Sequence, residues 1–244
     1  MSIAFATHAV PFIRIGKSKG WWACAETGSV TGTTPITAVA AMIETADDLA
    51  KSTSGPNLVT NTINGYAVAD HKHTDGSTRF LQSTTYAGSA PLSVFVVGRI
   101  EAATSTLLSI GRRDAITSNL HFGLDVNRKM ALDSVSQAGV FVNLATGTAA
   151  YSLSAGHVWG FTLAGSGGSD AYAFYGDGSA DGSGTTTAMA TSVAQDYTQG
   201  AVGTTAGGWG VSDCMIAEVL TFTHVLSAIE LTEIHNYLRT KYNI

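Results

Sequence analysis

The densest group of ligand-type side chains in this sequence is DHKHTD, Asp70 to Asp75. His71 and His73 stand two residues apart, so in a strand both imidazoles project from one face. That spacing suits a divalent metal, with Asp75 or a neighbouring chain as third ligand. A histidine pair without further ligands is not a site, so neither a metal nor any other cofactor is expected, and solvated edge residues are the plainer reading. Asp177 and Asp181, in a Gly-rich hairpin, are the carboxylates best placed for a calcium rim, which needs several oxygens converging on one point. Ordinary turn chemistry explains them equally well.

A sugar site needs an aromatic platform beside hydrogen-bonding groups. Trp209, in the loop-like stretch TTAGGWGVSD, is the best candidate, with Tyr197 in AQDYTQG as a weaker partner. Packing under a loop is the competing reading for Trp209. Trp22 and Trp159 fall within strand-like runs and read as core. Glycoside cleavage needs two carboxylates flanking one bond. Glu218 is the carboxylate of the last strand-like run, without an acidic neighbour two or five positions on. By alternation it shares a face with Ile216, Leu220 and Phe222, where a carboxylate is more often a hydrogen-bonded structural group than a catalyst. No Ser-His-Asp order, nucleophile elbow or phosphate-binding loop is apparent. No enzyme is expected.

Short strands must position these groups. PLSVFVVGRIEA, TLLSIGRR, LHFGLDV, KMALDSV, GVFVNLA, HVWGFTLAG, AYAFYGDG and CMIAEVLTF follow one another between turn signals. That spacing is the mark of an all-β sandwich or barrel. GSGGS (165–169) and GDGSADGSGTTT (176–187) read as long hairpin turns. One helix is well marked, at the end. Ser227 is its N-cap, Glu230 completes a capping box, and Leu226 with Leu231 has hydrophobic-staple spacing. Leu231, Ile234 and Leu238 make one face apolar. The helix is expected to pack on a sheet edge or a loop.

Composition narrows the class. Charged residues are 13% of the 244, against ~25% in an ordinary soluble domain. Net charge is −5, which argues against a nucleic-acid partner. No run approaches the ~20 apolar residues of a membrane helix. The N-terminus lacks a basic start and a continuous apolar centre, so synthesis in a cytoplasm without a secretion signal is expected. Cys24 and Cys214 fit no metal spacing; they read as reduced, buried thiols, with a bridge as the alternative.

In their order along the chain, several stretches resemble the concanavalin A-like, laminin-G-like jelly-roll domains. CMIAEVLTFTHVLSAIELTEIHNYLRTKYNI resembles the close of such domains: a strand, an L-S, and a short helix. TSGPNLVTNTINGYAVADHKHTDGSTRFLQ is similar to their Pro, Asn-Gly turn and Asp-Gly strand segment, although the histidines depart from the usual pattern. PLSVFVVGRI is similar to the next core strand, AYAFYGDG to a Tyr-to-Gly hairpin, and GWWACAETGSVTG to the opening strand. The resemblance implies two antiparallel sheets face to face, first and last strands adjacent, and a helix that plugs an open side or end. Residues 19–244 would form this domain, and 1–18 an N-terminal arm or edge strand. The glycosidase branch of the family carries an E-x-D-x-x-E triplet on one strand, and none is present here. The fold by itself does not fix function. Low charge, abundant Gly, Ser and Thr, and a chain that starts at Met1 without further modules point to a bacteriophage virion component. A capsid decoration or a head- or tail-attached fibre component is expected, with copies of itself, other virion proteins and a host surface glycan as partners. The alternative is a lectin-like carbohydrate-binding module of a cellular organism.

Overall fold

The computed structural model describes residues 18–24, 29–40, 42, 49–51, 55–71, 79, 81–83, 91–103, 105–111, 120–135, 141–165, 169–187, 196–200 and 213–244. Seventeen strands precede one helix among them. The first seven are β1 (Ser18–Ala23), β2 (Val30–Thr31), β3 (Ala38–Val39), β4 (Leu49–Lys51), β5 (Asn57–Ile63), β6 (Tyr66–Asp70) and β7 (Leu81–Ser83). The longer strands follow: β8 (Leu92–Ile100), β9 (Ser105–Gly111), β10 (Leu120–Leu124), β11 (Lys129–Val135), β12 (Phe141–Ala150) and β13 (Gly156–Ala164). Then come β14 (Ser169–Gly176), β15 (Ser179–Thr187), β16 (Asp196–Gln199), β17 (Cys214–Phe222) and the helix α1 (Ala228–Tyr242).

All pairings are antiparallel, in two sheets. The eight-stranded sheet runs β15-β14-β13-β8-β17-β6-β5, with β1 also on β17; the nine-stranded sheet runs β12-β11-β10-β9-β16-β7-β4-β3-β2. This is the jelly-roll sandwich, and its first and last strands are adjacent: Trp22 sits opposite Val219 and Ala23 opposite Glu218. Two-residue loops set the register of two hairpins. Asn64-Gly65 and Asp177-Gly178 both have positive φ at each position, the backbone that matches the twist of the flanking strands and that Asn, Asp and Gly reach most easily.

The interior face of each sheet supplies the main core. Val94, Val96, Phe161, Phe174 and Val219 of the eight-stranded sheet meet Leu108, Ile110, Phe122, Met130 and Leu132 of the other. Cys24 and Cys214 are buried free thiols, and burial pushes the Cys24 thiol up to about 12.

Three expectations change. First, 176–187 is not a long turn. After the Asp177-Gly178 turn it pairs with β14 from Ser179 through Thr187. A strand of Ser, Gly, Thr and Ala carries no apolar alternation, so periodicity could not reveal it; backbone hydrogen bonds to a strong neighbour hold it instead. Second, α1 does not cap an edge or an open end. It lies on the outer face of the eight-stranded sheet, and Ile234, Leu238 and Tyr242 join Phe95, Val97, Val158, Leu220 and Phe222 in a second core. Leu231 is half-buried beside them. Third, Glu218 does not share a face with Ile216. A β-bulge lies between Ile216 and Glu218, so Ala217 joins the helix-side core while Ile216 joins the main one. The extra residue restarts the alternation. The 1–18 arm falls outside the described residues except for Ser18, the first residue of β1.

Candidate functional site

The two outer sheet faces decide where a ligand can lie. On the eight-stranded sheet the helix takes the space. Its capping box forms, with the Glu230 carboxylate accepting from the Ser227 backbone N–H at 2.7 Å. At its other end Asn64 Nδ2 donates to the Tyr242 carbonyl at 2.6 Å. Between them, buried Glu218 accepts from Tyr242 Oη at 2.7 Å, Lys241 Nζ at 2.8 Å and Tyr237 Oη at 3.1 Å. Three donors on one carboxylate dock the helix and leave little for chemistry.

On the nine-stranded sheet the outer face carries a polar row. Phe122 and Leu132 point into the core, so His121 and Asp133, each one residue away and opposite each other in the ladder, lie on the other side. Asp133 is next paired with Asn143 on β12. The adjacent row is small: Gly123 opposite Ala131, and Ala131 opposite Thr146. The row of hydrogen-bonding groups and the row of small ones form a strip, or trough, whose accessible members are Asp133, Asn143 and Thr146, while His121, Gly123 and Ala131 are buried.

Its outer end is a linked cluster. Asn143 Nδ2 donates to Asp133 Oδ1 at 2.9 Å, and Thr146 Oγ1 donates to Asn143 Oδ1 at 3.0 Å. Asn143 is exposed, and Asp133 and Thr146 are half-buried. Partial burial raises the Asp133 carboxyl above its usual range, opposed by the Asn143 bond and reinforced by nearby Asp125. His121 is 2% exposed, and burial pushes it down to about 4. It is neutral at physiological pH.

The rim where β12, β13 and β14 end holds the other polar concentration. Asp181 is buried and saturated: Oδ1 accepts from Ala149 N at 2.6 Å, Thr148 Oγ1 at 2.8 Å and Thr148 N at 3.0 Å, and Oδ2 accepts from Tyr151 Oη at 2.9 Å. It ties β15 of one sheet to β12 of the other. Asp177 accepts from Val158 N at 2.9 Å on Oδ1 and faces His157 Nδ1 at 2.8 Å with Oδ2. The same imidazole meets Ser152 Oγ through Nε2 at 3.0 Å.

Several sequence candidates land elsewhere. Tyr197 is not a surface platform. It is fully buried and stacked on Trp22 with ring centroids 4.6 Å apart, because β16 sits in the middle of its sheet and alternation turns Tyr197 inward. His71 is fully buried, its Nδ1 donating to the Arg79 carbonyl at 2.9 Å, and desolvation pushes it down to about 4. It is no solvated edge residue. Asp181 is a sandwich clamp rather than an open rim ligand, and Asp177 lies at the surface 35% exposed. Trp209, His73 and Asp75 lie outside the described residues. Among the described residues no group of three or more His, Cys, Asp or Glu converges as a metal would require. The linked Asp133, Asn143 and Thr146, and the Ser152–His157–Asp177 chain, were not singled out by sequence. The local signal for the first was slight: Asp133 and Asn143 each follow a leucine or valine within otherwise apolar runs, MALD and FVNLA. Of the second, Asp177 alone was a sequence candidate, for a calcium rim; nothing local joined it to Ser152 and His157, since the three lie on two loops and a strand.

No protein-family model matches the chain, and no curated protein matches it in sequence. Solved structures do resemble it in fold. Domain 4 of AbnA, an extracellular arabinanase of Geobacillus stearothermophilus solved in complex with arabinotriose, superposes with a TM-score of 0.64 at 14% identity, over 90% of this chain and 98% of that one. Trypanosoma rangeli sialidase gives 0.53 at 17% identity over 93% of this chain but 33% of its own length, so the chain spans about a third of that enzyme. A heptameric SAP-like pentraxin of Limulus polyphemus gives 0.50 at 13% identity, over 68% of this chain and 79% of that one. At these identities the likeness is one of fold: the β-sandwich shared by lectin-like and glycosidase-associated domains.

Proposed function

We propose that the chain is a carbohydrate-binding module that holds a glycan along the trough of the nine-stranded sheet and does not cleave glycosidic bonds. The observation that carries this is the contrast between the two outer faces: one is filled by the chain's own helix, and the other bears the linked Asp133–Asn143–Thr146 cluster over small residues. A carboxylate retains acceptor sites after one hydrogen bond, so Asp133 can take two hydroxyls of one sugar ring. The arabinotriose complex of the AbnA domain supports an oligosaccharide as the ligand class.

The test is a glycan array on the purified chain, followed by calorimetry on the best ligand. Asp133→Ala and Asn143→Ala are expected to weaken binding at least about tenfold, the size of one lost charge-assisted hydrogen bond, with unchanged melting. A chain that binds no glycan, or one whose binding ignores both substitutions, overturns the reading.

The setting we propose is a bacteriophage particle, with the module presented in many copies and the glycan on the host surface. Charged residues at 13% and abundant Gly, Ser and Thr leave few barriers to close packing of subunits. Light scattering of the purified chain, alone and with particles lacking it, tests this. Assembly or particle binding is expected, and a monomer that ignores the particles favours the free lectin-like module.

A further inference from the structure

The Ser152–His157–Asp177 chain has the connectivity of a nucleophilic relay. Ionised Asp177 can only accept, so its 2.8 Å contact fixes the proton on His157 Nδ1. In the neutral ring Nε2 is then the acceptor, and Ser152 must donate its hydroxyl proton along the 3.0 Å contact. A serine oxygen is thereby aimed at a base that a carboxylate orients, which is how such relays are recognised whatever the fold. Val158 N–H holds the other Asp177 oxygen at 2.9 Å. The imidazole is walled by the ring of Tyr151, edge-on at 5.2 Å between centroids, and by Trp159 at 5.4 Å.

Two further facts separate this chain from a loop clamp. Asp181, four residues beyond Asp177, already ties Thr148, Ala149 and Tyr151 down with four hydrogen bonds, so the strand-end loop is held without the relay. The relay also ends in the open: Ser152 is exposed, whereas His157 keeps 12% of its side chain accessible. The backbone N–H of Leu153, the residue after the serine, has no protein partner among the described residues. That is the position from which a nucleophile's neighbour can support an oxyanion.

We propose that Ser152, His157 and Asp177 form an acyl-transfer site for short O-acyl esters that project from a large carrier such as a polysaccharide. Because Ser152 is exposed on the strand-end loop, it can meet an ester held out by a polymer. Ser152 Oγ bonds to the acyl carbon as its proton passes to His157 Nε2. The ester C–O bond breaks, and the departing alcohol takes that proton. Water then adds to the acyl carbon, giving its proton by the same route, and the carboxylic acid leaves with Ser152 restored.

The test uses the full chain with a fluorophosphonate probe, followed by peptide mass mapping, and p-nitrophenyl acetate for turnover. One adduct on Ser152 is expected, absent in Ser152→Ala and formed at the normal rate in Ser154→Gly. Asp177→Asn is expected to slow labelling and turnover at least about 100-fold, at unchanged melting temperature, because it removes the group that fixes the tautomer. No adduct on Ser152, or labelling indifferent to Asp177→Asn in a folded variant, overturns the proposal. If Asp177→Asn fails to fold, the position of the wild-type adduct decides. The site is independent of the glycan trough: an array without hits leaves the labelling result standing, and the converse holds too.

Discussion

The outer faces of the two sheets start from the same alternating strands and end as opposites. On the eight-stranded sheet, outward positions are Phe95, Val97, Val158, Leu220 and Phe222, and water is excluded by α1. On the nine-stranded sheet, outward positions are His121, Asp133 and Asn143 with Gly123, Ala131 and Thr146 between them. A sandwich needs one apolar face per sheet. A sheet apolar on both faces needs a third layer, and the chain ends by supplying one. A sheet polar on its outer face needs no apolar layer, and Asp133, Asn143 and Thr146 stay accessible there. The helix is the consequence of the first sheet's composition, and the trough of the second's.

The largest expected effect breaks the apolar side of this contrast. Truncation after Phe222 bares five large apolar side chains and removes four buried helix residues, Ile234, His235, Leu238 and Tyr242. At ~1.5–3 kcal/mol per fully buried aliphatic or Phe side chain, the loss approaches the whole stability of an ordinary domain, ~5–15 kcal/mol. The truncated chain is expected to be unfolded or aggregated by circular dichroism. A cooperative melt at the full-length temperature would remove the helix from the account of the core.

Next is the polar anchor inside that apolar layer. Glu218→Ala leaves the Lys241 ammonium without its carboxylate in a site where its side chain is 12% exposed. Removing one partner of a buried pair costs about 3–5 kcal/mol. Chemical denaturation should show this, with much of it recovered in Glu218→Ala/Lys241→Met, where no charge is stranded. If the double variant is as weak as the single one, the anchor acts through its tyrosines instead.

A smaller effect, spread over both faces, comes from histidines. His71, His121 and His235 are each held neutral, pushed down to about 4 by burial. In the unfolded chain each takes a proton below about 6.5. The unfolded state therefore binds more protons between about pH 6.5 and 4, and stability falls as pH falls through that window. Each group contributes about 1.4 kcal/mol per pH unit there. Melting temperature against pH should flatten when His121→Gln or His235→Gln is introduced. An unchanged slope would mean these rings are charged in the folded state.

The smallest expected effect on stability sharpens the contrast. The Asp133 carboxyl is raised by burial, so its charged form is disfavoured in the folded chain at neutral pH. Asp133→Asn keeps the acceptor for Asn143 and removes that charge. Melting is expected to stay level or rise slightly, within about 0.5 kcal/mol, while glycan binding falls. A large destabilisation would make Asp133 a structural group, like Glu218.

Legibility followed the apolar pattern. KMALDSV and CMIAEVLTF are strands over the full stretches expected from sequence, because alternation and β-branched residues there agree. The capping box of α1 was readable residue by residue, since it is a contact between neighbours three apart. β15 was not readable: its backbone bonds depend on β14, and its own residues are too small to carry a period. Tyr197 and His71 were misplaced for a related reason. An aromatic or an imidazole in a Gly- and Ser-rich stretch looks exposed until the neighbouring strands are known to cover it.

By itself, then, the sequence determined the local terms: which runs are strands, where the hairpins turn, how the helix begins, and that the chain is a β sandwich low in charge. Those depend on contacts between residues near in sequence and on side-chain volume and polarity. Only the tertiary structure decided which face the helix covers and which residues meet across strands. The bulge before Glu218 restarts the alternation that a plain count assumes. Pairing of β10, β11 and β12 brings His121, Asp133 and Asn143 into one row across more than twenty residues of chain. The turn after β14 brings Asp177 back to His157 and Ser152. Register and crossing are properties of the folded sheets, and no residue carries them alone.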